Sequence, residues 1–108
     1  MKIMISQPMA GKEYDAILRE REKTVRKLEA MGHTVADTVL TVEPPDEGNV
    51  HLFYLSYSLN LMSQCDGVFF LPGWENARGC RIEHEAAVAY GLKTFFSVQE
   101  VERADENS

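Results

Sequence analysis

The amino-acid sequence predicts an α/β protein in which helices flank a parallel sheet of four to five strands. Short apolar runs alternate along the chain with longer stretches in which apolar residues recur at helical spacing. This alternation is typical of parallel sheets whose strands are joined by right-handed crossovers. The length of 108 residues suits one domain, and we expect that domain to span residues 1–98.

The first third of the chain contains two predicted strands and one helix. Residues 1–6 (MKIMIS) are apolar and stop at a Gln-Pro pair, which is typical of a short buried strand. Residues 12–31 form a helix in this prediction, because apolar side chains recur on one side until a glycine ends the pattern. Residues 33–36 form the second strand.

Residues 37–50 (DTVLTVEPPDEGNV) are predicted to be a long loop. They contain two prolines, one glycine and four acidic residues, a composition that disfavours both helix and strand. Loops of this length often serve as lids or interfaces.

The remainder of the chain continues the alternation. We expect a helix over 51–65, a strand over 67–71, a helix over 78–91 and a strand over 92–98. The third strand (GVFFL) is apolar throughout, as a strand buried on both faces would be. The resulting fold is a flavodoxin/Rossmann-like three-layer sandwich. Residues 99–108 are acidic, and we expect them to form a tail that frays.

Composition excludes several functional classes. The net charge of −6 argues against a general nucleic-acid binder, although residues 1–36 hold seven basic and five acidic residues and could favour a small anion. Apolar runs are too short for a membrane span, and no signal peptide is evident. The two cysteines form no metal-binding pattern. We therefore expect a cytoplasmic protein without metal or cofactor.

Ligands of parallel sheets bind at the carboxyl ends of the strands. The strand-to-helix connection over residues 6–12, called the first corner below, is therefore a candidate binding segment. Its backbone N–H groups at a helix start, a glycine and a lysine could bind an anion, or the segment could be an ordinary connection. It lacks the glycine and hydroxyl pattern of a Walker loop. Arg21 lies on the apolar stripe of the following helix and either extends to solvent or pairs with a buried group. The candidate binding residues here are Ser6, Gln7, Pro8, Met9, Gly11, Lys12 and Arg21.

The second corner (LPGWENARGC) follows the third predicted strand. Its glycines allow the backbone to approach a ligand closely. Trp74 could stack on a ligand ring or cap the core, and Asn76 could cap the helix or bond a ligand hydroxyl. Arg78 favours an anionic ligand. The candidate binding residues of this corner are Trp74, Asn76, Arg78 and Gly79.

Glu83 lies about one turn inside the helix that follows. Its face of the helix continues through Ala87, so the carboxylate is expected to point towards the sheet. A buried glutamate must be paired or must serve as a nucleophile or base. His84 and Glu85 are expected to face outward.

Two segments, ISQPMAGK and CDGVFFLPGWENARGCRIEHEAAVAYGLKTFF, resemble the nucleoside 2-deoxyribosyltransferase-like superfamily, in particular its short bacterial and phage branch of unknown function. The most specific part is the step from Gly79 to Glu83, followed by Gly91. The resemblance implies that Glu83 attacks the anomeric carbon of a sugar. It also implies phosphate binding by residues 6–12 and 76–79.

The chain departs from the transferases in two places. No acidic residue lies directly before the Gly79 step, and Ser56-Tyr57-Ser58 stands where the transferases often carry an aspartate. We therefore expect cleavage or exchange of the N-glycosidic bond of a (deoxy)nucleoside or nucleoside 5′-monophosphate. The alternative is a non-catalytic module that binds or senses a nucleotide.

The helix predicted over 51–65 has large apolar or aromatic side chains on more than one side. A helix of this kind needs a partner beyond its own sheet, which predicts a homodimer or higher homo-oligomer. The alternative is a deeply buried helix in a monomer.

Overall fold

The computed structural model describes residues 1–36, 43–44 and 46–107. Within these residues, four parallel strands form one sheet in the order β2-β1-β3-β4. The strands are β1 (Lys2–Ser6), β2 (Thr34–Ala36), β3 (Gly67–Phe70) and β4 (Lys93–Phe95). The helices are α1 (Tyr14–Ala30), α2 (Val50–Met62), α3 (Arg78–Ala89) and α4 (Val98–Glu106).

Helices cover both faces of the sheet, because successive side chains of a strand point to opposite faces. Ile3 and Ile5 of β1 pack in one buried cluster with α1 and α4, whereas Met4 packs in a second cluster with α2 and α3. The predicted three-layer α/β arrangement with a four-stranded parallel sheet is therefore confirmed.

The C-terminal segment corrects one expectation. Residues 98–106 form helix α4, not a frayed tail, and Val101 is fully buried. Ser97 caps the helix by accepting a hydrogen bond from the backbone N–H of Glu100 at 3.2 Å. Asp105 lies 2.9 Å from the Nε2 atom of His33. Apolar residues at 98, 101 and 104 pack against the core, whereas Glu102 and Glu106 are exposed. The acidic residues of this segment concealed its helical pattern in the sequence.

Half of the predicted loop over 37–50 lies outside the described residues, which omit 37–42 and 45. Asn49, near the end of the predicted loop, caps α2 by accepting a hydrogen bond from the backbone N–H of Leu52 at 2.9 Å. No helix in the described part of the chain combines the length and apolar character that crossing a membrane requires.

Candidate functional site

The two polar corners meet at one edge of the sheet. Strands β1 and β3 are hydrogen-bonded neighbours, and Ser6 at the end of β1 is in register with Phe70 at the end of β3. Gly73 has a positive φ of 89°, which favours glycine. A Cβ atom placed there would lie 3.7 Å from Cγ of Pro8, so the two connecting segments run side by side.

Glu83 lies beneath this edge. Helix α3 turns Cys80, Glu83 and Ala87 towards the sheet, and only 7% of Glu83 is exposed, which confirms the predicted inward orientation. The hydroxyl of Ser6 donates a hydrogen bond of 2.9 Å to the Oε1 atom of Glu83. The side chain of Ser58 on α2 lies close enough to the same carboxyl group to lower its pKa. Three elements therefore meet at one carboxyl group.

The buried position changes the ionisation of Glu83. Burial raises its pKa from 4.5 to about 7, against the opposing effect of the hydrogen bonds from Ser6 and Ser58. Near neutral pH, the Glu83 side chain is therefore present in both its protonated and its ionised form. Burial also raises the pKa of the neighbouring Cys80 thiol, which Ser6 and Lys12 oppose.

Gln7 and Pro8, which follow Ser6, are buried. The Nε2 atom of Gln7 donates a hydrogen bond of 2.8 Å to the carbonyl of Ile17, which fastens the corner to α1. The Oε1 atom of the same side chain is buried and has no hydrogen-bond partner in the described structure. An unsatisfied buried acceptor of this kind is uncommon.

Arg21 is buried, with 6% of its surface exposed. Its Nη2 atom donates a hydrogen bond of 3.3 Å to the carbonyl of Ala36, the last residue of β2. Of the two alternatives, extension to solvent is therefore wrong. The guanidinium places positive charge at the same edge of the sheet where β1 and β3 end.

The remaining residues of the first corner lie at the surface. Met9, Gly11 and Lys12 are exposed, and the Nζ atom of Lys12 lies 3.2 Å from a carboxylate oxygen of Glu20. These residues form the outer rim of the corner, whereas Ser6, Gln7 and Pro8 form its buried base.

The second corner consists of a 3₁₀ turn over Trp74–Asn76 and the start of α3. Asn76 and Arg78 are exposed and Gly79 is half-buried. Ala77 occupies the N-cap position of α3 and no side chain caps the helix. Asn76 therefore does not take the capping role that was one of its two alternatives, and its amide is exposed at the corner.

Trp74 belongs to an aromatic cluster that covers the core. Its ring centroid lies 4.6 Å from that of His84, 5.3 Å from Phe70 and 5.4 Å from Phe96. His84 was expected to face outward, and this is wrong, because its half-buried ring packs against Trp74 and Phe70. Such stacking contributes beyond the burial of area.

A surface cavity of about 510 Å³ lies beside this cluster and is lined by Trp74, Arg81, His84, Glu85, Val88 and Ala89. Arg81, Glu85 and Val88 project from the side of α3 opposite Glu83. The cavity is therefore separate from the buried carboxylate, and it does not define the candidate site.

Ser58 is a site residue that was not among the candidates predicted from the sequence. It lies on a helix whose residues are apolar on several sides, so amphipathic spacing did not indicate which serine faces inward. In the described part of the chain, no group of three or more His, Cys, Asp or Glu side chains is arranged to hold a metal ion.

Comparisons with known proteins place this chain in a family. Residues 1–96 match the family described as "Domain of unknown function (DUF4406)". The chain belongs to this family.

The DUF4406 chain is also similar to the solved structure of the 2-deoxyribosyltransferase from the psychrotolerant bacterium Bacillus psychrosaccharolyticus. The TM-score is 0.65 at 19% sequence identity, covering 87% of this chain and 69% of the other. No curated protein matches the sequence. The structural likeness confirms the fold that the resemblance to the 2-deoxyribosyltransferase-like superfamily implied.

Proposed function

We propose that this protein cleaves or exchanges the N-glycosidic bond of a (deoxy)nucleoside or nucleoside 5′-monophosphate, with Glu83 as the nucleophile. One observation carries the proposal. Glu83 is a buried carboxyl group at the carboxyl edge of a parallel sheet, it accepts a hydrogen bond of 2.9 Å from the hydroxyl of Ser6, and burial raises its pKa to about 7. Perturbed carboxyl groups in such positions are typical of nucleophiles and bases.

The chemistry suits a single carboxylate. Cleavage of an N-glycosidic bond develops positive oxocarbenium character on the sugar, which an adjacent carboxylate stabilises. In the proposed reaction, a carboxylate oxygen of Glu83 forms a bond to the anomeric carbon while the bond to the base breaks. The base leaves with the bonding electrons and takes up a proton from solvent, and the later attack of water returns one proton to solvent. Water then cleaves the sugar–enzyme ester and regenerates the carboxylate.

We favour water as the acceptor over a second base. The resemblance implies an aspartate in the middle helix of the transferases, whereas α2 of this chain presents the neutral hydroxyl of Ser58 to Glu83. A hydroxyl does not supply the second carboxylate that would assist an incoming base.

Residues 6–12 and 76–79 are the proposed binding segments. The exposed guanidinium of Arg78 and the N–H groups at the start of α3 suit a 5′-phosphate. The buried, unpartnered Oε1 atom of Gln7 could accept a hydrogen bond from a ligand hydroxyl or amine. Lys12 and Met9 would contact the ligand from the rim.

We also propose a homodimer or higher homo-oligomer formed through α2. Leu52 is 61% exposed and Tyr57 is 39% exposed on this helix, and exposed apolar side chains that form a patch mark interaction surfaces. Light scattering of the purified protein would report its mass, and a monomer at all concentrations would contradict this proposal. The cytoplasmic location stays a prediction.

The test of the catalytic proposal compares wild-type protein with Glu83→Gln and Glu85→Gln. Each would be incubated with a panel of nucleosides, ribonucleotides and deoxynucleotides, and free bases would be separated by chromatography. Glu85 is the matched control, because it is exposed and lies on the same helix. We expect base release by wild type and Glu85→Gln and almost none by Glu83→Gln.

The same panel separates an enzyme from a binding module. A ligand that binds without turnover raises the unfolding temperature but produces no free base. Thermal stabilisation by a nucleotide, together with no base release from wild type, would contradict catalysis and support the non-catalytic alternative.

A further inference from the structure

We propose that Ser6 and Ser58 are positioning residues, which hold the Glu83 side chain between two hydroxyl donors supplied by β1 and α2. This inference rests on the proposed role of Glu83 as the nucleophile. It gives Ser6 a role towards the enzyme's own carboxylate instead of direct contact with substrate, and it assigns a role to Ser58.

The backbone of Ser6 is fixed before any ligand binds. The residue is 1% exposed, lies in register with Phe70 of β3, and accepts a hydrogen bond of 3.0 Å from the N–H of Leu71. Its hydroxyl donates to Glu83 at 2.9 Å. A serine hydroxyl has one proton to donate, so in this arrangement it has none for a phosphate oxygen, which accepts only.

Ser58 differs from an ordinary helical serine. Serines in helices commonly bond a backbone carbonyl of the preceding turn, and Ser56 does so through a 2.6 Å hydrogen bond to the carbonyl of Phe53. Ser58, two residues further along α2, is half-buried, and its side chain lowers the pKa of Glu83. The two serines of α2 thus have separate roles, which supplies a matched control within one helix.

The groups that surround Glu83 explain why the two hydroxyls matter for its ionisation. On α3, the Cys80 thiol is one turn away and interacts electrostatically with Glu83, and Lys12 acts on the same thiol from the first corner. The groups that β1 and α2 contribute, Ser6 and Ser58, are uncharged. Hydrogen bonds to a carboxylate favour its charged form, so both serines oppose the effect of burial on the pKa of Glu83.

The experiment measures the ionisation of Glu83 directly. The carboxyl carbon of glutamate, labelled with ¹³C, would be followed by NMR against pH in wild type, Ser6→Ala, Ser58→Ala and Ser56→Ala, with Glu83→Gln assigning the resonance. We expect the titration midpoint to rise by about one pH unit in Ser6→Ala and in Ser58→Ala. Ser56→Ala should titrate like wild type, and Ser58→Thr, which keeps the hydroxyl, should retain the wild-type midpoint.

Kinetics provide a second readout. For a positioning role, kcat at pH 7 falls and its pH profile shifts upward, while KM changes little. An unchanged midpoint in Ser6→Ala and Ser58→Ala would overturn the proposal, as would a raised KM with unchanged kcat, which indicates a substrate contact. Circular dichroism would verify folding, and if Ser6→Ala does not fold, Ser58→Ala decides. If wild type releases no base, the proposed function fails, but the NMR titration still decides the positioning role.

Discussion

The hydroxyl of Ser6 donates a hydrogen bond of 2.9 Å to the carboxyl group of Glu83, although 77 positions separate the two residues in the chain. The contact joins the central strand β1 to helix α3 inside the protein. Burial raises the pKa of Glu83 to about 7. Both the free energy of unfolding and the rate of the proposed reaction should therefore depend on pH through this one group.

Replacement of Glu83 by Gln is expected to stabilise the protein at alkaline pH. The folded-state pKa of about 7 lies above the ordinary value of 4.5, so the folded state holds the proton more tightly than the unfolded state. This contribution to stability is fully present below about pH 4.5 and is lost as the pH rises through 7. At pH 8, Glu83→Gln should exceed wild type by up to about 3 kcal/mol in the free energy of unfolding.

Urea denaturation of both proteins at pH 4.5 and pH 8 would measure this difference. Other titrating groups are common to both proteins, so they cancel in the comparison. Equal stabilities at pH 8 would contradict a buried, destabilised carboxylate at this position.

The proposed reaction should require the ionised form of Glu83. A nucleophilic carboxylate must be deprotonated, so kcat/KM for base release is expected to rise with pH and to level off above about pH 7. Initial rates between pH 5 and pH 9 would measure the profile. A rate that falls through the same range would instead indicate that Glu83 acts as a proton donor.

Substitution by alanine should have opposite effects on the stability of the fold at two glycines. A Cβ atom on Gly67 would lie 2.9 Å from a ring carbon of Phe95 and 3.1 Å from the carbonyl oxygen of Lys93. Gly67→Ala is therefore expected to destabilise the fold by about 1–3 kcal/mol. A Cβ atom on Gly79 meets no atom within 4 Å, and an alanine in this helical position should stabilise the fold by about 0.5–1 kcal/mol.

Gly79→Ala also tests the proposed binding segment. If the backbone there approaches the ligand, the added methyl group should lower kcat/KM even though the protein is more stable. Thermal unfolding and base-release assays on the same preparation would measure both effects. Unchanged kcat/KM would place the ligand away from Gly79.

The C-terminal helix should contribute to stability through Val101. This side chain is fully buried against the cluster that contains Ile3 and Leu28, so Val101→Ala is expected to cost about 2 kcal/mol. Glu102 is exposed on the same helix, and Glu102→Ala should change stability by less than about 0.5 kcal/mol. Equal effects of the two substitutions, measured by urea denaturation, would mean that α4 does not pack as described.

Local patterns in the sequence were sufficient for the sheet and for the inward orientation of Glu83. Unbroken apolar runs identified β1 and β3, and helical spacing placed Glu83 on the same face as Ala87. The meeting of the two corners followed from a general property of parallel sheets, whose strand ends lie at one edge.

Contacts between distant elements were not predictable in the same way. The burial of Arg21 depends on the carbonyl of Ala36 at the end of a neighbouring strand. The packing of the half-buried His84 depends on Trp74, because a 3₁₀ turn brings the two ring centroids within 4.6 Å of each other. The helix over 98–106 was missed because three apolar positions were outweighed by the acidic residues between them.

The aromatic cluster over Phe70 also has a practical consequence. The chain contains one tryptophan. Trp74 lies two residues before the proposed binding segment 76–79, and its ring packs against the imidazole of His84. Its intrinsic fluorescence therefore comes from a single place, and occupancy of the corner by a nucleotide can be followed through quenching or a spectral shift without any attached dye.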